Sequence, residues 1–93
     1  MIKSFAAKAT EAVWRGHQTP ELPARLQAVA LRKLRQLDAA IELNFLKLLP
    51  GNKLHRLTNE RDGQHAIWIN RQYRLCFRWD GQNAHNVEIT DYH

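Results

Sequence analysis

The order of hydrophobic and polar positions changes character near Pro50 and Gly51. Before these residues, apolar side chains recur at helical spacing; after them, apolar and polar side chains alternate in short runs. The sequence contains no internal repeat, low-complexity tract or linker. The change of pattern therefore predicts two layers of a single domain spanning residues 1–93, rather than two domains.

The strongest helical pattern covers residues 24–39. At about 100° per residue, apolar side chains form one stripe: Leu26, Ala30, Leu34, Leu37 and Ile41. Arg25, Arg32 and Arg35 fall on the opposite side, and Lys33 flanks the stripe. Shorter helices are predicted over residues 10–15 and 42–48, ended by Gly16 and by the Pro50-Gly51 pair.

Five segments have the alternation or composition of strands: residues 2–5, 53–57, 64–69, 73–79 and 85–92. Turn residues separate the last three segments, at Asn70-Arg71 and at residues 80–83. The predicted fold is α+β, with N-terminal helices packed on one face of a twisted, mainly antiparallel sheet of about four to five strands.

Alternation assigns the strand residues to two faces. The face toward the helices receives Ile67, Ile69, Leu75, Phe77, Val87 and Ile89. The opposite face receives Trp68, Arg74, Arg78 and Tyr92, with Lys53 and His55 nearby. Arginine donates bidentate hydrogen bonds to phosphate, and an exposed aromatic ring can stack on a base, so this face suits single-stranded nucleic acid. The alternative is an ordinary solvated sheet surface, with arginine stems packed on Trp68.

Composition narrows the class of protein. The 93 residues are 44% hydrophobic and 25% charged, which is typical of one small globular domain. A single cysteine excludes a disulfide framework and a cysteine-based zinc finger. No apolar run approaches a membrane span or a signal peptide, so we expect a cytoplasmic protein with no membrane contact. The net charge of +5 fits an acidic partner such as nucleic acid, or solubility alone.

The segment Asp91-Tyr92-His93 follows the last predicted strand, beside the basic face. Cleaving RNA without a metal requires a base for the ribose 2′-hydroxyl, cations for the phosphorane, and an acid for the leaving oxygen. His55 and His93 are candidates for the proton transfers, and Arg74 is the candidate phosphate clamp. The alternative is a frayed tail. The five histidines match no local metal-ligand spacing, so we expect neither a metal nor a cofactor.

Several short motifs, taken in order along nearly the whole chain, resemble one family. They are Met1-Ile2-Lys3-Ser4-Phe5, Arg32-Lys33-Leu34 with Leu37-Asp38-Ala39-Ala40, Pro50-Gly51-Asn52-Lys53-Leu54, Arg61-Asp62-Gly63-Gln64, Tyr73-Arg74-Leu75-Cys76-Phe77 and Val87-Glu88-Ile89-Thr90-Asp91-Tyr92-His93. With these motifs the sequence resembles the HigB-type toxins of type II toxin–antitoxin systems, within the RelE/ParE superfamily.

The resemblance implies a RelE-like toxin domain that acts as a ribosome-dependent endoribonuclease. Such a toxin cleaves mRNA in the ribosomal A site by attack of the 2′-hydroxyl and inhibits translation. It implies three partners: the 70S ribosome with its mRNA, a cognate HigA-type helix-turn-helix antitoxin, and operator DNA reached only through that antitoxin.

The resemblance also implies site residues. The catalytic positions are carried over onto His55, Arg74, Asp91, Tyr92 and His93. Lys53 and Arg61 are implied phosphate contacts, and they join Trp68 and Arg78 of the basic face as predicted RNA-binding residues. The sequence departs from some relatives at Thr58, where they carry lysine, and the His55 position varies among relatives.

Two other functions remain open from the residues. A ParE-like toxin that binds DNA gyrase would share the fold without needing His93 or the Arg74 clamp. A non-catalytic RNA- or protein-binding module of the same fold would keep the basic face alone.

Overall fold

The computed structural model of the chain describes residues 1–92; His93 lies outside the described residues. Three helices and four strands follow one another: α1 (Lys8–Trp14), α2 (Gln27–Ala39), α3 (Leu43–Leu48), β1 (His55–Arg56), β2 (His65–Trp68), β3 (Tyr73–Trp79) and β4 (Ala84–Asp91). The strands form one antiparallel sheet in the order β1-β2-β3-β4. The predicted α+β fold, with helices before the sheet in the sequence, is confirmed.

Helix α2 supplies the layer that covers the sheet. It continues from a 3-10 turn at Ala24–Leu26, directly after Pro23. Leu34 and Leu37 are fully buried against the core that also holds Leu75 and Phe77. Complete burial of a large apolar side chain contributes roughly 1.5 to 3 kcal/mol, so this stripe stabilises the packing of α2 on the sheet.

The predicted end of the apolar stripe is wrong at Ile41, whose side chain is 80% exposed. Ala40 adopts an extended backbone, with φ −68° and ψ 128°, so α2 ends at Ala39. Beyond that point the helical period no longer applies, and Ile41 turns away from Leu37 and the core.

Asx turns close the β2–β3 and β3–β4 hairpins. The Oδ1 atom of Asn70 accepts hydrogen bonds from the N–H groups of Gln72 and Tyr73, at 2.9 and 2.7 Å. Asp80 does the same between β3 and β4, and its other carboxylate oxygen lies 2.6 Å from His85 Nε2. The contact with His85, followed by the two backbone N–H groups, lowers the pKa of Asp80 to about 2.

Two predicted strands are shorter than expected. Residues 2–5 form only isolated parallel bridges to β4, through Ile2 and Phe5. The predicted strand over residues 53–57 is reduced to β1, because Lys53 has a φ of 47°, in the left-handed region that a strand cannot contain.

The face of the sheet opposite the helices is not uniformly polar. Leu57, Ala66 and Cys76 are buried together there, and Tyr92 packs against them. Cys76 is fully buried, in agreement with the packing role expected for a mid-strand cysteine. This face of the sheet therefore carries a small buried apolar cluster as well as basic side chains.

Candidate active site

The polar face of the sheet centres on Trp68 and Arg74, which are cross-strand partners in β2 and β3. The Arg74 guanidinium carbon and the Lys53 ammonium nitrogen each lie 4.0 Å from the centroid of the Trp68 ring. A cation at this distance is attracted by the negative charge of the ring face. Trp68 therefore holds two cations, in addition to any contact that its ring makes with a base.

Loop carbonyls orient the Arg74 guanidinium. Its Nη1 atom donates hydrogen bonds to the carbonyl oxygens of Asn70 and Arg71, at 2.7 and 2.8 Å. Within residues 1–92, its Nε and Nη2 atoms have no hydrogen-bond acceptor. The loop between β2 and β3 thus fixes one corner of the guanidinium and leaves N–H donors available for a phosphate.

Tyr92 borders Arg74 from the end of β4. Its ring centroid lies 5.3 Å from the Arg74 guanidinium carbon, and its backbone N–H donates to the Gln72 carbonyl at 2.6 Å. Burial raises the pKa of Tyr92, and the neighbouring Cys76 thiol raises it further. The hydroxyl is therefore protonated at neutral pH, so Tyr92 can stack or donate a hydrogen bond but does not act as a phenolate base. We call Lys53, Trp68, Arg74 and Tyr92 the Arg74 site.

Two grooves meet at Tyr92. One, of about 650 Å³, is lined by residues 57–61 together with Tyr92. The other, of about 350 Å³, is lined by Asn70, Arg71, Gln72 and Tyr92. Tyr92 thus lines both grooves at the edge of the Arg74 site.

His55 occupies exposed β1, and its Nδ1 atom lies 3.0 Å from the carbonyl oxygen of Lys53. A carbonyl only accepts hydrogen bonds, so this contact favours the tautomer that carries its proton on Nδ1. The lone pair of the neutral ring is then on Nε2, which can accept a proton from a substrate.

Arg61 contacts an acidic partner within the protein. Its Nη1 atom donates to Glu88 at 3.1 Å and to Gln64 at 3.2 Å. Burial lowers the pKa of Arg61, but the hydrogen bond with Glu88, together with the electrostatic effects of Cys76, Glu88 and Tyr92, outweighs it and raises the pKa. Arg61 lines the larger groove. Part of its charge is already compensated by Glu88, which weakens its attraction for a phosphate relative to Arg74.

Arg78 and Asp91 lie away from the Arg74 site. Arg78 is exposed further along β3 and lies over Gly63, where a Cβ atom would come within 2.6 Å of its Nη1. Asp91 accepts a hydrogen bond from Gln72 Nε2 at 3.0 Å and lines a separate groove with Tyr73 and Ile89. Strand alternation turns its side chain to the side of Ile89, opposite the ring of Tyr92.

His93 was predicted to be catalytic and lies outside the described residues. The structure thus brings Lys53, Trp68, Arg74 and Tyr92 together, with His55 on the adjoining strand. One neighbour escaped prediction: Asn52 is fully buried, and its carbonyl oxygen accepts the backbone N–H of Trp68 at 2.7 Å. Its position after Gly51 in a predicted turn gave no sign of burial.

No helix within residues 1–92 is long and apolar enough to cross a membrane. No group of three or more His, Cys, Asp or Glu side chains in that range is arranged to hold a metal ion.

Comparison with known proteins identifies relatives of the whole chain. Residues 3–93 match the family model described as the RelE-like toxin of type II toxin–antitoxin system HigB. Endoribonuclease HigB of Proteus vulgaris is 29% identical over 93 residues, covering all of both chains. Toxin HigB-1 of Vibrio cholerae is 38% identical over 58 residues, which span 62% of this chain and 61% of that protein.

A solved structure has the same fold. The YoeB-YefM complex from Staphylococcus aureus matches with a TM-score of 0.61 and 15% identity, covering 100% of this chain and 98% of that chain. The family match over residues 3–93 agrees with the resemblance found in the sequence motifs. The chain belongs to the HigB-like family of RelE-like toxins of type II toxin–antitoxin systems.

Proposed function

We propose that the chain is an endoribonuclease toxin that cleaves mRNA in the A site of the ribosome and thereby inhibits translation in the cytoplasm. The observation that carries the proposal is the Arg74 site. An arginine with available donors, a lysine 4.0 Å from the Trp68 centroid and a protonated tyrosine converge on one face of the sheet. The Proteus relative, matched over its full length, is named an endoribonuclease, as the sequence motifs led us to expect.

The proposed reaction is attack of a ribose 2′-oxygen on the adjacent phosphorus. A base removes the 2′-hydroxyl proton, the new P–O bond forms, and the bond to the 5′-oxygen breaks as that oxygen takes up a proton. The products are a 2′,3′-cyclic phosphate and a 5′-hydroxyl. The protein must supply a base, an acid and cations, because negative charge accumulates on the phosphorane oxygens.

Each role has a candidate residue. Arg74 donates to the phosphorane from its unoccupied N–H groups, and Lys53 adds a second positive charge. His55 and His93 share the proton transfers, with His55 Nε2 suited to the base by its tautomer. Tyr92 stacks on a base or donates its hydroxyl. Asp91 contributes through Gln72, which it contacts, and whose carbonyl oxygen receives the backbone N–H of Tyr92.

The proposed RNA path continues beyond the Arg74 site. There, Arg61 and Arg78 are proposed as contacts with neighbouring phosphates. The Trp68 ring holds Lys53 and Arg74 and can present its remaining edge to a base.

The proposed partners are the 70S ribosome with its mRNA, and a HigA-type helix-turn-helix antitoxin. The match to a toxin–antitoxin family supports an antitoxin partner here, and YoeB, which shares the fold, was solved in a complex with YefM. Operator DNA is proposed as a target of the antitoxin, with the toxin held to it only through that protein.

Primer extension on mRNA from bacterial cells expressing the chain tests the function. We expect codon-associated cuts that disappear with Arg74→Ala, while Arg71→Ala, a change at an exposed arginine three residues away, leaves them in place. Toxicity with DNA breaks and without mRNA cuts would replace the proposal with gyrase binding. RNA binding without toxicity or cuts would replace it with a non-catalytic module.

A further inference from the structure

A buried polar pair lies beneath the Arg74 site. Lys33 of α2 is 3% exposed, and Asn52 is 0% exposed. The Lys33 ammonium donates to Asn52 Oδ1, and Asn52 Nδ2 donates to Gln36 Oε1 at 3.2 Å and to the Leu46 carbonyl at 3.1 Å. The side-chain amide of Asn52 is thus held through both its oxygen and its nitrogen, by α2 and α3 together.

The main chain of Asn52 reaches into the site. Its carbonyl oxygen accepts the Trp68 N–H at 2.7 Å, which ties the loop to the end of β2. The next residue is Lys53, with a φ of 47°, whose ammonium lies 4.0 Å from the Trp68 ring centroid. One buried side chain therefore fixes both the strand that carries Trp68 and the strained residue whose cation contacts Trp68.

Stability alone explains Lys33 poorly. Position 33 is buried beside the apolar stripe of α2. An apolar side chain could pack there without the free-energy cost of removing a charged group from water. Burial, followed by the repulsion of Arg32, lowers the pKa of Lys33, so placing the charge here has a cost. The Lys33 amine instead contributes a directional hydrogen bond below the loop. The loop passes directly over Lys33 Nζ, since a Cβ on Gly51 would lie 3.7 Å from that atom.

We propose that Lys33 and Asn52 are positioning residues, which lock the loop from Pro50 to Lys53 so that Lys53 and Trp68 are set beside Arg74. The effect on cleavage rests on the proposed function. The effect on the geometry of the loop does not.

The test compares Lys33→Met with two matched variants. Methionine keeps most of the length of the side chain and removes its charge and donors. Arg32→Met removes one charge from the exposed side of the same helix. Val13→Ala removes packing from the fully buried Val13 of α1, away from the loop, and controls for lost stability. All variants are compared at a temperature and denaturant concentration where each is folded, with global stability measured for each.

The first readout is hydrogen exchange of the Trp68 amide, whose acceptor is the Asn52 carbonyl. We expect exchange about tenfold faster in Lys33→Met than in Val13→Ala after correction for global stability, the factor that corresponds to one ordinary hydrogen bond. Arg32→Met should exchange at the wild-type rate. Equal Trp68 protection in Lys33→Met and Val13→Ala would overturn the proposal.

The second readout is cleavage of ribosome-bound mRNA. We expect kcat to fall about tenfold in Lys33→Met with KM nearly unchanged, because displaced cations lose their contact with the charge that develops in the transition state. If Lys33→Met does not fold, Asn52→Asp decides by the same readouts, since it keeps the shape and the acceptor for Lys33 but loses both donors. If the wild type cleaves no mRNA, the proposed function fails, and amide exchange alone decides the positioning role.

Discussion

Arg74 and Trp68 face each other across β2 and β3, and the guanidinium carbon lies 4.0 Å from the centroid of the indole ring. Lys53 contacts the same ring at the same distance. Two like charges gathered on one side of a sheet repel, and the shared ring offsets part of that repulsion. The site is therefore assembled in the absence of RNA, which is the condition that the proposed stabilisation of a phosphorane requires.

Replacing Trp68 should weaken catalysis in proportion to the loss of ring contact. Each cation–π contact contributes about 0.5 to 2 kcal/mol, so Trp68→Leu should lower kcat/KM by about tenfold or more. Trp68→Phe keeps a smaller aromatic face and should lie between the leucine variant and the wild type. Steady-state cleavage of ribosome-bound mRNA measures the series. Equal activity of Trp68→Leu and the wild type would show that the Trp68 ring does not contribute to catalysis.

Replacing either proposed acid–base histidine should change both the rate of mRNA cleavage and its dependence on pH. His55→Gln and His93→Gln should each lower kcat by about 10² to 10⁴-fold, the usual contribution of a positioned proton-transfer group. His17→Gln replaces an exposed histidine remote in sequence from the site and should leave the rate unchanged. Single-turnover cleavage from pH 5 to 9 measures these effects. A wild-type pH profile in His55→Gln would exclude His55 from proton transfer.

His65 should make the fold sensitive to acid. Its ring stacks on Phe77 with a centroid distance of 6.0 Å, and burial, followed by Arg56, lowers its pKa below 6.5. The unfolded chain therefore takes up this proton first as the pH falls. The resulting loss of stability begins near pH 6.5 and is complete below the folded pKa.

Chemical denaturation at pH 7.5 and 5.5 tests that prediction. The fall in the free energy of unfolding between the two pH values should be smaller in His65→Gln than in the wild type. His17→Gln should keep the wild-type difference. An identical pH dependence in His65→Gln and the wild type would contradict the assignment.

Gly63 should be needed both for its backbone and for Arg78. Its φ of 89° is strained for any other residue, and a Cβ there would come within 2.6 Å of Arg78 Nη1. Gly63→Ala should cost about 1 kcal/mol in the free energy of unfolding. Gly16 has a φ of 84°, and a Cβ added there would have no neighbouring atom within 4 Å. Gly16→Ala should therefore lower the free energy of unfolding by a similar amount.

RNA binding separates these two glycine variants. Only Gly63→Ala displaces Arg78, so only this change should weaken binding to a single-stranded oligoribonucleotide at low salt. Equal binding by both variants would show that Arg78 makes no useful phosphate contact.

The core and the strand faces were predictable because burial imposes a period. Leu34 and Leu37 at helical spacing, and Leu75 and Phe77 at a spacing of two, are each buried as their pattern requires. The alternation of β4 also contained the position of Asp91, on the side of Ile89 rather than of Arg74.

Other features depend on contacts that no local pattern encodes. Lysine is rarely buried, and the partner of Lys33 lies 19 positions away, so neither residue stands out in sequence. Lys53 belongs to the predicted strand over residues 53–57, yet its left-handed backbone keeps it out of β1, and its ammonium lies over Trp68. The backbone conformation of Lys53 depends on the packing of the loop after α3 against α2, which is a tertiary contact.

Cleavage of ribosome-bound mRNA by Arg74→Lys, with Arg71→Lys as its control, tests the central claim most directly. Lysine keeps the charge but loses the fork that bonds to the Asn70 and Arg71 carbonyls while offering donors to phosphate. With purified 70S ribosomes and a defined mRNA, we predict that Arg74→Lys lowers kcat by about 10² to 10³-fold, while Arg71→Lys cleaves at the wild-type rate. Wild-type cleavage by a folded Arg74→Lys protein would contradict the account.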